Sequence, residues 1–142
     1  MTTSKTPETP DSLAKRLKQA RLASKELGTA TDELNLKLSE AEAAIVGLNL
    51  GVTAAVVIPT DIFLATELKF MKHNSVWGLY VEKDGDVTPL LKCNRLVRVM
   101  AATKLADLLE TLIAVVTQET DAVRSGISAT EKIIAQLRGE TP

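Results

Sequence analysis

The side chains able to act as a nucleophile or a general base are few in this chain. Its 142 residues include one cysteine, Cys93, and one histidine, His73. A thiol beside an imidazole can form a nucleophilic pair, and antiparallel strands could bring these two residues together. No group that would orient the imidazole is recognisable, and an unpaired cysteine is commonly a small apolar core residue. We therefore expect a buried Cys93, a surface His73 and no catalytic residue.

Motifs for metal and nucleotide binding are also missing from the sequence. One cysteine and one histidine cannot supply the four ligands of a zinc site. Asp84 and Asp86 flank Gly85, where aspartate is typical of turns, and two acids are too few for a calcium site. The seven glycines form neither a dinucleotide fingerprint nor a P-loop. The sequence thus predicts no metal, no cofactor and no enzymatic activity.

One group of polar residues predicts a site for an anion or an acidic partner. It joins the polar face of a predicted sheet to the start of the second long helix. Its members are Lys69, His73, Tyr80, Lys92, Arg95 and Arg98. A helix N-terminus attracts anions through its free N–H groups, and arginine adds a bidentate donor, so a phosphate, a nucleotide or an acidic peptide fits this chemistry. The simpler interpretation is a solvated face whose arginines pair with Glu82 or Asp86.

A second basic group predicts nucleic-acid binding as an alternative function. It consists of Lys15, Arg16, Lys18, Arg21 and Lys25, with no acid among them. Lys18, Arg21 and Lys25 share one face of a predicted helix. They would contact phosphates with little sequence recognition, because no aromatic residue is interleaved for base stacking. The simpler interpretation is a solvated helix face that pairs with Glu119 or Glu131 of an antiparallel neighbour.

Charge and hydropathy bear on the compartment and on membrane insertion. The chain has 17 basic and 18 acidic residues, one cysteine, and a polar first decapeptide without the apolar core of a secretory signal. We therefore expect a cytoplasmic protein. Residues 43–60 form an uncharged run of eighteen, close to the ~20 needed to cross a bilayer. Gly47, Gly51 and Pro59 interrupt this run, so a helix end followed by a strand is favoured, and membrane insertion is the alternative.

The N-terminal third has the period of a coiled-coil helix. Apolar or small residues alternate at spacings of four and three from Leu13 to Leu48. The large side chains of this predicted oligomerisation seam are Leu13, Leu17, Leu27, Leu34, Leu38 and Ile45. Because the register continues through Gly28, we expect one long helix, with a break at Gly28 as the alternative.

The middle of the chain changes period and predicts four antiparallel strands. Residues 52–58 are rich in β-branched side chains, and two further runs, 66–73 and 76–82, are separated by a short hairpin signal. For the next turn, the apolar pattern favours a three-residue loop at 83–85 over a two-residue turn at 84–85. The longer loop places Val81 opposite Val87, puts Pro89 on the same apolar face, and leaves Thr88 on the polar face.

The C-terminal third predicts a second long helix capped by Asn94. Its first half is apolar around much of its circumference and should be enclosed on more than one side. After Thr120 the apolar pattern thins, and Gly126 could separate two consecutive helices.

These elements predict an α+β fold: two long helices, paired as an antiparallel coiled-coil hairpin, flank a small antiparallel four-strand β head. The predicted divisions are a flexible tail at 1–10, a heptad helix at 11–50, the head at 51–94, the second helix or helices at 95–138 and a tail at 139–142. The favoured function is a non-enzymatic, self-associating interaction protein, most simply a dimer, that presents its head to a protein partner as an adaptor, a chaperone-like holder or an inhibitor of a larger complex.

Overall fold

The computed structural model describes residues 9–59 and 66–139 and has the predicted α+β fold. The elements are α1 (Pro10–Gly47), β1 (Ala54–Ile58), β2 (Thr66–His73), β3 (Val76–Lys83), β4 (Asp86–Pro89), a 3₁₀ turn (Leu90–Lys92) and α2 (Arg95–Leu137). Predictions for residues 1–8, 60–65 and 140–142 lie outside the described residues. The antiparallel pairing of the two helices remains a prediction.

Both long helices are continuous through their glycines. α1 passes through Gly28 without interruption, as the heptad register predicted, and α2 passes through Gly126 as one helix. At the start of α2 the Asn94 side chain accepts a hydrogen bond from the Val97 N–H at 2.9 Å, which confirms the predicted cap.

The chain divides into two compact units within α1. The first ends at Lys37, and the second runs from Leu38 to the C-terminus and contains the sheet and α2. Within the first unit the structure describes residues 9–37, which are almost entirely helical and mostly exposed. Among the described residues, every buried apolar side chain lies in the second unit, which therefore holds the hydrophobic core.

The sheet is an antiparallel meander in the order β1-β2-β3-β4. One face carries seven side chains that are each at most 5 % exposed: Ala54, Ile58, Thr66, Leu68, Phe70, Leu79 and Val81. α2 contacts β1 and β2, and it buries Ala101, Leu108 and Leu112. The Phe70 and Trp77 rings stack with their centroids 5.4 Å apart at the edge of this core.

The turn between β3 and β4 differs from the prediction. Lys83 pairs with Asp86, so the turn has two residues, Asp84 and Gly85, both with positive φ (51° and 84°). Two left-handed residues match the twist of a hairpin, which favours this shorter turn. The prediction of a three-residue loop was wrong because it relied on burial of apolar residues in β4, and no residue of β4 is buried.

The new register also moves three residues from their predicted faces. Thr88 lies opposite Val81 on the apolar face, whereas Val87 and Pro89 lie opposite Glu82 and Tyr80 on the other face. A shift of one residue inverts every side chain of a strand, so the single wrong turn length explains all three errors.

Candidate functional site

The face of β2 and β3 opposite Leu68 and Leu79 brings together half of the predicted anion site, but Tyr80 on it is only 6 % exposed. We call it the polar sheet face; it consists of Glu67, Lys69, Met71, His73, Tyr80 and Glu82. Lys69 lies directly opposite Tyr80, and His73 ends β2. The period-two pattern was sufficient to place these side chains together.

The polar groups on this face already have partners. Lys69 forms an ion pair with Glu82, whose hydrogen bond and negative charge raise the pKa of the lysine. The Tyr80 hydroxyl donates to the Val76 carbonyl at 2.9 Å, and its ring meets the His73 ring edge-on with centroids 5.3 Å apart. An anion at Lys69 would have to displace Glu82, so this face offers little free positive charge.

The other three residues of the predicted anion site lie on different elements. Lys92 ends the 3₁₀ turn, and Arg95 and Arg98 lie in the first turns of α2. Lys92 and Arg95 are exposed, and Arg98 is half-buried near the Cys93 thiol. That these residues act with the polar sheet face remains a prediction.

Cys93 does not have the environment of a nucleophile. Its Sγ lies 3.5 Å from the Pro89 carbonyl, and burial raises the pKa of the thiol against the smaller opposing effect of Arg98. The residue lines a groove with Thr66, at the opposite end of β2 from His73. The thiol contacts the Pro89 carbonyl, whereas the His73 ring packs against Tyr80, so the two groups have different neighbours and do not form a Cys–His pair.

A groove lies beside Cys93. It has a volume of about 570 Å³ and is lined by the β3–β4 turn, the start of β2 and the first residues of α2. Its charged lining residues are Lys83, Asp84 and Asp86, so it carries one positive and two negative charges. No sequence pattern indicated this groove, because residues from three different elements form it.

The predicted oligomerisation seam on α1 is divided between two environments. Leu13, Leu17 and Leu27 are 47–52 % exposed, whereas Leu38 and Ile45 are 2 % and 4 % exposed. The last two therefore belong to the core of the second unit and are not accessible to a partner, which corrects their assignment. Leu34 is half-buried. The heptad pattern could not distinguish contact with the sheet from contact with another helix.

The basic group of α1 is fully accessible. All five of its residues are exposed, on the part of α1 that belongs to the first unit. The chemistry required for contacts with phosphates is therefore present, and nucleic-acid binding remains an alternative.

A longer accessible apolar stripe lies on α2. We call it the α2 seam; it consists of Ile113, Val116, Thr120, Val123, Ile127, Thr130, Ile134 and Leu137. These residues alternate at spacings of three and four without a break. The five large side chains other than Val116 are 39–83 % exposed. Sequence reasoning noted the last members as a thinning pattern and did not recognise that the register begins at Ile113.

Comparison of the chain with known protein families, with curated proteins and with solved structures gives no match. Across residues 9–59 and 66–139, neither long helix contains a segment apolar enough to cross a bilayer. In the same ranges no three His, Cys, Asp or Glu side chains converge as metal ligands would. The function must therefore be argued from the geometry of the chain itself.

Proposed function

We propose that this protein is a non-enzymatic, self-associating interaction protein, an oligomer that presents its sheet to a macromolecular partner in the cytoplasm. The observation that carries the proposal is the α2 seam, an uninterrupted heptad stripe in which five of the six large side chains are exposed in the single chain. Such stripes are typical of helices that pair with other helices. Contiguous exposed apolar surface of this kind generally marks an interaction site.

The polar sheet face supports the second half of the proposal, contact with a partner. It is a rigid surface, because Lys69, Tyr80 and His73 are held by neighbouring groups. Its half-buried members, Met71, His73 and the Lys69–Glu82 pair, resemble the mixed composition of a transient protein interface more than that of an anion pocket. An adaptor, a chaperone-like holder and an inhibitor of a larger complex all require such a surface.

Self-association is tested by sedimentation equilibrium over a range of concentrations. We expect a mass of at least two chains of 15.3 kDa, and we expect Ile127→Glu to lower it, because Ile127 is central in the seam. The matched control is Ser125→Glu, which adds the same charge to the exposed back of the same helix. A wild-type protein that stays monomeric at high micromolar concentration would contradict the proposal.

Partner binding is tested by a substitution on the polar sheet face. A stoichiometric complex isolated from native lysate should be lost in Met71→Glu, which places a charge at the centre of that face. The variant Thr29→Glu is the control, because Thr29 is exposed on the first unit. A complex that survives Met71→Glu would show that the partner binds elsewhere.

Nucleic-acid binding is the second candidate, and the exposure of the basic group favours it. Binding to single- or double-stranded nucleic acid should weaken steeply with salt and disappear when Lys18, Arg21 and Lys25 are all changed to glutamine. If binding is absent in low salt, this alternative is rejected.

A further inference from the structure

We propose that the α2 seam pairs in parallel, and in register, with the α2 seam of a second copy of this chain. The inference rests on the proposed self-association and adds its partner segment, its orientation and the residues that fix its register. The segment is 113–137, which as a helix is ~37 Å long.

Charge pattern selects the parallel orientation. With Ile113 at heptad position a and Val116 at d, Glu119 occupies a g position and Arg124 the following e position. In a parallel pair each g residue meets the next e residue of the other helix, so Glu119 of each copy meets Arg124 of the other. Both side chains are exposed in the single chain.

The antiparallel alternative for the same segment is less favourable. Antiparallel helices bring e against e and g against g. When residues 113–137 overlap fully in that orientation, Arg124 faces Arg124 of the other copy. The parallel arrangement therefore gives two attractive Glu119–Arg124 pairs, and the antiparallel arrangement gives a repulsion between two Arg124 side chains at the centre.

The two threonines of the seam can be buried at little cost. The Thr120 hydroxyl donates to the Val116 carbonyl and the Thr130 hydroxyl to the Gly126 carbonyl, each at 2.8 Å. Because each hydroxyl already has an acceptor in its own helix, burial between two helices leaves no unsatisfied donor and exposes the threonine methyl group to the partner. Parallel pairing in register places each threonine beside its own counterpart.

The remaining core positions favour close association. Positions a hold Ile113, Ile127 and Ile134, and β-branched residues also occupy d at Val116 and Val123. Isoleucine at a fits two-stranded coiled coils, and β-branched residues at d extend the preference to three strands. An assembly of two or three chains is therefore expected.

Orientation is tested by disulfide cross-linking in a Cys93→Ser background. In parallel register Val123 faces Val123 of the second copy, so Val123→Cys should form a covalent dimer under mild oxidation. The matched control is Ser125→Cys, exposed on the opposite face of the same helix turn. If Val123→Cys does not cross-link more than Ser125→Cys, the parallel arrangement is wrong, and the seam pairs antiparallel or with α1.

Register is tested by charge exchange, which leaves the seam itself intact. Glu119→Arg and Arg124→Glu should each weaken association roughly tenfold, and the double variant should restore it. Lys132→Glu, which makes the same charge change on the back of α2, should have little effect. Single variants without effect, or a double variant without rescue, overturn the inference.

The outcomes separate this inference from the proposed function. A monomeric wild-type protein defeats both. An oligomeric wild-type protein that shows neither the Val123 cross-link nor the charge rescue retains self-association and defeats only the parallel α2 pairing.

Discussion

The carboxylate of Glu42 should be one of the strongest single polar contributions to the stability of the second unit. Its Oε2 accepts a hydrogen bond from the Leu79 N–H at 2.8 Å, which ties the last turns of α1 to β3. Leu79 is 1 % exposed, so removal of the carboxylate leaves its N–H without its acceptor at a site with little access to water. The change Glu42→Ala should therefore lower the free energy of unfolding by ~2 kcal/mol.

A substitution at Gly78 tests whether this loss of stability comes from the hydrogen bond between Glu42 and Leu79. A Cβ placed on Gly78 would lie 3.0 Å from Glu42 Oε2, while that oxygen is held by Leu79. Gly78→Ala should therefore displace the carboxylate and destabilise the protein in part through the same hydrogen bond. In the double variant with Glu42→Ala, the two effects should be non-additive by ~1 kcal/mol.

The measurement is urea unfolding followed by the fluorescence of Trp77, the one tryptophan, which stacks on Phe70 in the second unit. Protein concentration must be fixed, because association would add to the apparent stability. Glu33→Ala is the control, since Glu33 is exposed on the same helix within the first unit. Equal effects of Glu42→Ala and Glu33→Ala, or a loss below ~0.5 kcal/mol, would refute the assigned role of this hydrogen bond.

Three further predictions follow from local geometry. Ser75→Gly should stabilise the protein by ~0.5–1 kcal/mol in the same assay, because Ser75 has a φ of 67° that glycine adopts without strain. Asn94→Ala should lower the free energy of unfolding by ~1 kcal/mol through loss of the α2 cap, whereas Asn94→Ser should keep most of the stability that the cap provides. Because Glu82 raises the folded-state pKa of Lys69, the pair contributes below the ordinary lysine value of 10.5 and is lost as pH rises above it. The stability difference between wild type and Lys69→Met should therefore stay constant up to about pH 10 and narrow only as pH rises above 10.5.

The parts of the fold that follow a strong period were predictable from sequence. Two long helices, the β2–β3 hairpin and the Asn94 cap each have a local signal that involves neighbouring residues. The β3–β4 register was predicted wrongly because it was assigned from burial, and an exposed edge strand lacks the burial that makes one register better than another. Turn chemistry at Asp84-Gly85 was the better guide there, and it was outweighed by the wrong criterion.

The candidate sites were predictable only in part. Alternation placed Lys69, His73 and Tyr80 on one face, but the pairing of Lys69 with Glu82 is a contact between strands that spacing alone does not reveal. The heptad pattern indicated that Leu38 and Ile45 are buried, but it did not indicate which surface covers them. The heptad spacing of the α2 seam is present in the sequence. Spacing alone does not separate it from the adjacent stripe of Ala101, Leu108 and Leu112, and only the burial of that stripe in the core does so.

Because α1 is divided between the two units at Lys37 and Leu38, its two ends should differ in how easily they unfold. Residues 38–47 are held in the helical conformation by buried side chains and by Glu42. The preceding turns can therefore extend an existing helix without the free-energy cost of nucleation. Opening should begin at Pro10 and progress inward, turn by turn. A protease acting on the native protein should accordingly release a ladder of N-terminal fragments and stall where the nucleus begins.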